Sequence, residues 1–568
     1  MVGHPRGKSN LIVSGGVGST LVFFRSLTCT REPVPLTFTR LFRTQSSNLI
    51  RRRAATLAPG LACRGGKIAY LGIDVGTGGT RALVMDEAGT VVASGSEEHA
   101  PFASPRPGWA EQDPRDWWRA CGAAVRKALH SSNLRPEEIA CIGFSGQMHG
   151  AVLLDSGDEL VRNAIIWCDQ RSEAQSHELE QLFGRDMLIR LTCNPPLTNF
   201  TLTKLLWVRE TEPESWAQVA HLMLPKDYVR FRLTGERAID VADASGTLLL
   251  DVANRRWSSE VLSKSGIDKS LLPPLYESAQ VCGKVSAAGA EATGLRMGTP
   301  VVAGAGDQAA GAVGMGIARA GAVSATIGTS GVVFAATDRP ALDTQGRLHT
   351  FCHAIPGRWH VMGVTQAAGL SLRWLRDRIG VANATRAEAA RDPYDLLVEE
   401  ASSAPAGSEG AFWLPYLMGE RTPHLDPNAR AALVGLTASH TRGHLIRAVM
   451  EGVAYSLKDT FTIFGEMQIP VTSIRLGGGG ARSALWRQIQ ADVYGQEVEI
   501  VAAEEGAAYG AAILAAVGER AWNSVDEACD SMVRVATRIA PDQAASKTMQ
   551  RSYRIYRKLY PALRAALE

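Results

Sequence analysis

The sequence is short of several things, and each shortage excludes something. Its 9 cysteines among 568 residues are an odd number, scattered, without the paired spacing of metal ligands. That argues against a disulfide framework and a zinc site, and for a reducing, cytoplasmic setting. No stretch has the length and apolarity of a transmembrane helix; the apolar run Leu11 to Phe24 is broken by Ser and Gly and is too short to span a bilayer. Acids are almost missing from residues 1–66, which hold ten Lys/Arg against the single acid Glu32. The remainder carries 50 basic and 56 acidic residues, so the formal net charge of +3 hides a mildly acidic body. Nothing in that body favours nucleic acid or a membrane as a partner.

The acid-poor leader is rich in Arg, Ser and Thr and contains Arg51-Arg52-Arg53. It suits a mitochondrial transit peptide. A Sec-type signal is a second reading, and upstream sequence included by a wrongly placed start is a third, preferred over targeting. In each case residues 1–66 are expected to be disordered and non-catalytic.

What is present fits a globular protein of two large domains. The length exceeds one ordinary core, and 45% hydrophobic with 21% charged residues is globular composition. The 56 glycines fall largely in short clusters, which implies tight turns and close approaches. Ile68 to Val75 is an apolar strand ending in Gly76-Thr77-Gly78-Gly79-Thr80, followed by a second strand at 81–86 and a third at 90–94. A Gly-Thr hairpin after a buried strand offers backbone N–H groups and hydroxyls to phosphate oxygens. Asp74 at the strand end can hold hydrated magnesium. Ala322 to Ile327, Gly328-Thr329-Ser330-Gly331 and Val332 to Ala335 repeat that layout, so a duplicated fold clamping a nucleotide between its halves is expected.

Other stretches carry polar groups at the ends of strands, where open α/β sheets bind ligands. Strand Ile139 to Phe144 ends in Ser145-Gly146-Gln147-Met148-His149-Gly150; Gln147 and His149 can bond a polyol's hydroxyls while Met148 packs on its carbons. A satisfied turn histidine is the plainer alternative. Asp169 and Arg171 either pair, cap the next helix or face one pocket. Asp240 to Thr247 reads as a polar loop, its acids solvated or bordering the sugar site. Gly477 to Gly480 leaves room for a base and ribose. Glu504 to Ala512 reads as a small-residue helix against the sheet near the nucleotide. Val301 to Gly314 reads as a strand, a glycine turn and a helix start, with Asp307 at the junction. A carboxylate there is placed to take a proton from a hydroxyl, or simply caps the helix.

Taken together, residues 67–568 resemble the FGGY carbohydrate kinases of the actin-like ATPase superfamily. The resemblance rests on Gly146 to Gly150, Leu224-Pro225-Lys226-Asp227-Tyr228, Gly304-Ala305-Gly306-Asp307 and Gly419-Glu420-Arg421-Thr422-Pro423-His424. The first of these is similar to the substrate loop of the xylulokinase branch, where glycerol-specific members carry an Arg-Glu pair. Asp307-Gln308 stands where that branch often has Asp-Asn, which leaves the base intact and blurs the sugar's identity. The resemblance implies two actin-like (ribonuclease H-like) α/β domains, 67–318 for the sugar and 319–568 for ATP, with the cleft between them closing on substrate. It implies ATP-dependent phosphorylation of D-xylulose at its 5-hydroxyl, with ribulose or gluconate as alternative substrates and an actin-like ATPase switch as an alternative function. Asp307 is then the base; Gln147, Met148 and His149 meet the sugar; Asp74 orients Mg2+ through water. Thr77, Gly328 and Thr329 meet phosphates, and Gly478 and Gly479 meet the adenosine. A homodimer is left open.

Overall fold

The computed structural model describes residues 68–379, 391–503 and 506–567; the basic leader, Glu504 and Glu505 lie outside the described residues. The chain begins as read. Strands β1 (Ala69–Val75), β2 (Gly79–Asp86) and β3 (Val91–Glu98) form an antiparallel meander. Helix α1 (Pro114–Ser132) starts as the residues dictate, with the Asp113 side chain accepting from the Arg115 N–H and Pro114 in the first turn. Strand β4 (Ile139–Gly146) then lies parallel to β1. Helices α2 (Thr201–Thr211), α3 (Pro225–Thr234) and the short α4 (Val241–Ala244) follow. Strands β5 (Val281–Lys284) and β6 (Pro300–Val302) complete the sheet in the order β5-β6-β4-β1-β2-β3, and the two-residue β7 (Ala305–Gly306) pairs with the end of β4. From β7 the chain passes directly into α5 (Asp307–Gly314).

The second half repeats this topology. Strands β8 (Gly321–Ile327), β9 (Gly331–Thr337), β10 (His349–Cys352) and β11 (Trp359–Thr365) come first. The long helix α6 (Arg442–Glu466) buries Val449, Val453, Leu457 and Phe464, the apolar stripe that its 3.6-residue period forecasts. Then come β12 (Val471–Gly478), α7 (Ala484–Tyr494), β13 (Val498–Val501), α8 (Gly506–Gly518), α9 (Val525–Met532), β14 (Val535–Ile539) and α10 (Gln543–Leu567). The sheet order is β10-β11-β9-β8-β12-β13-β14. In both sheets the first strand has an antiparallel hairpin partner on one side and a parallel strand on the other.

One reading needs correction. Residues 241–247 are helical rather than a loop, with Asp240 as their N-cap, and of the two options for the acids solvation fails, since Asp240 and Asp243 are fully buried. The small-residue helix α8 packs tightly against a sheet as read, and that sheet is the first: a side chain on Gly72 of β1 would meet the Ala508 carbonyl, and one on Gly143 of β4 the Ala511 carbonyl. Its other side lies main chain against main chain on α5. A Cβ on Gly510 would stand 1.8 Å from the Ala310 oxygen, and one on Gly314 2.0 Å from the Gly506 oxygen. Glycine and alanine are therefore what the crossing requires.

Candidate active site

Both Gly-Thr turns are closed by their own backbones, Gly76 N–H on the Gly79 carbonyl at 3.0 Å and Gly328 N–H on the Ser330 carbonyl at 2.9 Å. Between the halves lies a cleft of about 810 Å³. Its lining includes Asp74, Asp307 and Gln308, the turn residues Gly328 and Ser330, and Gly477 to Gly479 with Arg487 and the Ile500 to Ala503 segment. The structure thus brings Asp74, Asp307, Gly328, Gly478 and Gly479 to one cavity. Ser324 and Thr326 join them, two residues apart on β8 and so on one face of it.

Asp307 is the first residue of α5, and the N-cap position belongs to Gly306. The carboxylate accepts one side-chain hydrogen bond, from Gln308 Nε2 at 3.2 Å. Burial, then the charge of Asp74, pushes its pKa up to about 7. Asp74 is itself pushed up by burial, offset by the nearby Ser145 hydroxyl and the charge of Arg81, its cross-strand neighbour. Its Oδ1 is buried without a hydrogen-bond partner. An orphaned carboxylate oxygen on a cleft wall fits a hydrated divalent cation or another proton-bearing ligand group.

The glycines do less for a ligand than their number suggests. Gly304 has φ +79°, and a Cβ there would stand 2.1 Å from the Phe144 oxygen, so its openness serves the fold. Gly478 has φ +72° and faces the Ile327 carbonyl, and Gly480 faces the Ile327 side chain. Gly479 alone of the 477–480 run leaves space, its nearest neighbour being 3.8 Å from where a Cβ would stand.

The sugar-loop residues divide. Met148 packs over Gly306, its Cγ 2.7 Å and Sδ 3.1 Å from where a Cβ on Gly306 would stand, directly beside Asp307. His149 follows with φ +69°, and its Nδ1 lies 2.7 Å from the Gly246 carbonyl. That carbonyl can only accept, so Nδ1 carries the proton and Nε2 is left as an acceptor. Burial holds the ring well below its ordinary pKa, hence neutral. Gln147 turns the other way, donating to Gln112 Oε1 at 3.0 Å and receiving the Thr77 hydroxyl at 3.4 Å. Trp167 Nε1 donates to that same hydroxyl at 2.9 Å. Thr77 and Gln147 therefore brace each other; they, like Met148 and His149, stand outside the lining of the cleft, and Ser330 rather than Thr329 lines it at the second turn.

A buried ionic cluster supports the base segment. Lys226 Nζ lies 2.5 Å from Asp227 Oδ1, 2.6 Å from Asp240 Oδ2 and 3.3 Å from Asp243 Oδ2, all fully buried. Burial works against the lysine's charge, and three carboxylates more than restore it. Burial also pushes Asp243 well up, against the pull of Lys226. Arg230 Nη1 bonds Asp227 at 2.8 Å and the Ala303 carbonyl at 2.7 Å, tying the cluster to the segment that leads into Asp307. The sequence signal for it was Leu224 to Tyr228; its partners in 240–243 were concealed by their polarity. Of the three options for Asp169 and Arg171, pairing holds: Arg171 Nη2 bonds Asp169 Oδ2 at 2.7 Å, and the guanidinium stacks 3.8 Å over Trp109.

The model of the FGGY family of carbohydrate kinases matches this chain twice, as its N-terminal domain over residues 69–314 and its C-terminal domain over residues 323–519. The chain belongs to that family. The xylulose kinase of Escherichia coli K12 is 38% identical over 495 residues, covering 87% of this chain and 99% of the relative. That of Bacillus subtilis 168 is 37% identical over 490 residues, covering 86% and 96%. The crystal structure of xylulose kinase from Rhodospirillum rubrum superposes with a TM-score of 0.79 at 31% identity, covering 88% of this chain and 99% of that one. The two-domain α/β kinase fold of this FGGY protein is thus shared along nearly its full described length.

Proposed function

We propose that this FGGY kinase transfers the terminal phosphoryl group of ATP to the 5-hydroxyl of D-xylulose, giving D-xylulose 5-phosphate and ADP. The observation that carries the chemistry is Asp307, a carboxylate with a pKa of about 7 on the wall of a cleft that two glycine turns also line. Its position next to Met148 supports a sugar hydroxyl there, and the relatives named xylulose kinase support the pentulose. Asp307 takes the hydroxyl proton as the oxygen bonds to phosphorus and the bond to the ADP oxygen breaks. Phosphoryl transfer asks for in-line positioning and charge stabilisation more than covalent help, and this is what the cleft offers.

His149 Nε2 accepts from a sugar hydroxyl, and the Met148 thioether packs on the carbon chain. The main chain at Gly328 and Ser330 faces phosphate oxygens, and Gly479 lies under the adenosine. Asp74 Oδ1 would hold magnesium through water, and the ion would neutralise the phosphates. In this reading residues 67–318 carry the sugar and 319–568 the nucleotide, and the free cysteines suit the cytoplasm. Among the described residues no helix is long and apolar enough to cross a membrane.

The test is coupled ADP release with magnesium-ATP across D-xylulose, D-ribulose, L-ribulose, glycerol and gluconate. Strong preference for D-xylulose is the expected result. Preference for another sugar overturns the substrate and keeps the Asp307 chemistry; ADP release indifferent to every sugar overturns both.

A further inference from the structure

His149 is the one sugar-loop residue in a left-handed conformation, which a residue with a Cβ adopts at a cost. Something must hold it there. Its ring is fixed by Gly246, and its carbonyl is fixed from behind by two donors on the first turn of α2: Thr201 Oγ1 at 3.1 Å and Lys204 Nζ at 3.3 Å. Lys204 is fully buried. Its ammonium meets only main-chain carbonyls, those of His149, Phe200 at 3.3 Å and Asn199. Three carbonyls match the three donors of an ammonium, so the group is saturated by backbone.

This lysine is expensive where it stands. No carboxylate lies within ion-pair distance of it among the described residues, and a cation at the first turn of a helix opposes the helix dipole. Burial, only partly answered by the charge of Asp169, pushes its pKa down to about 7. A methionine would fill the volume at lower cost, so packing alone does not account for an ammonium here. What the ammonium supplies that a methyl cannot is a grip on the His149 carbonyl.

We infer that Lys204 is a positioning residue of the sugar site: by pinning the His149 carbonyl it holds the left-handed turn and aims Nε2 at the substrate. Thr201 shares the task. The inference rests on the reading of His149 as a sugar contact. It predicts a selective effect, because the lysine touches neither nucleotide nor the reacting atoms.

The experiment is a double-mutant cycle on the full chain, with Michaelis constants for sugar and ATP and thermal midpoints measured for each variant. Lys204→Met raises the sugar constant about tenfold, the equivalent of one lost charge-assisted hydrogen bond, with the ATP constant within about twofold. In a His149→Ala background, where no imidazole remains to be aimed, the same substitution changes the sugar constant less than about twofold. Its effect on the thermal midpoint is the same in both backgrounds. Equal effects on both Michaelis constants, or an undiminished effect beside His149→Ala, overturn the inference in favour of a purely structural lysine. If Lys204→Met does not fold, Thr201→Val replaces it, with about a threefold rise expected and the same cancellation beside His149→Ala. The two readings separate cleanly. His149→Ala without effect on the sugar constant removes the sugar-contact reading and this one with it. His149→Ala with an effect and Lys204→Met without one removes this one alone.

Discussion

The pH dependence of turnover follows from the surroundings of Asp307. An ordinary aspartate, at 3.8, stays ionised throughout the neutral range; burial and the Asp74 charge bring this one to about 7. The base works only when deprotonated, so activity is lost as pH falls through that value and is full above it. At pH 6 about one tenth of the enzyme carries an ionised base and at pH 5 about one hundredth, so the rate falls about tenfold per unit. The assay is coupled ADP release with sugar and magnesium-ATP both below saturation, so that the titration reports the unliganded enzyme. Asp74→Asn supplies the control: it lowers the overall rate, and it also moves the midpoint toward acid by removing the second cause of the shift. A wild-type profile flat down to pH 5, or a midpoint indifferent to Asp74→Asn, would refute the argument. The same group has the opposite effect on stability. Between 3.8 and about 7 the folded state binds the proton that the unfolded state has released, so this aspartate's contribution to stability is lost as pH rises through that window. Asp307→Asn should therefore abolish turnover while raising the thermal midpoint at pH 8.

Other expectations are more local. Asp169→Ala removes the bidentate partner of the Arg171 guanidinium, 1% exposed, and leaves it Glu111 Oε1 at 2.6 Å, so it should cost about 1–3 kcal/mol, read as a lowered thermal midpoint. Gly510→Ala forces α8 off the Ala310 carbonyl and should cost about 1–3 kcal/mol. Because α5 begins at Asp307, it should also lower kcat more than it changes either Michaelis constant. Asp74→Asn should weaken the magnesium dependence of activity, measured by titrating the metal at fixed ATP; an unchanged dependence removes Asp74 from that role.

Local patterns in the sequence were read correctly where they owe their form to local physics. The two hairpins after buried strands, the Asp113 cap and the stripe of α6 each follow from spacing and residue type alone. Asp307 stood out because glycine turns and small residues isolate a carboxylate at a strand-to-helix junction. What escaped was tertiary. Asp240 and Asp243 look solvated because acids usually are, and only Lys226, folded against them, reverses that. Thr77 and Gln147 read as ligand contacts because each ends a strand, but they spend their hydrogen bonds on one another and on Trp167. That α8 packs on a sheet was legible in its small residues; which of the two sheets was not, because a helix of alanine and glycine has no asymmetric face to show which surface it covers.

That helix has a consequence for how the protein is made. Tyr509 on α8 hydrogen-bonds the Gly89 carbonyl, a partner 420 positions earlier in the chain. At roughly 5–20 residues per second, a ribosome needs roughly 20–80 seconds to bridge that interval. Until α8 is made, β1, and β4 once it is synthesised, have no α8 to lay over Gly72 and Gly143. The first sheet must wait for its cover, and during synthesis it is the half of the molecule most in need of protection from other chains.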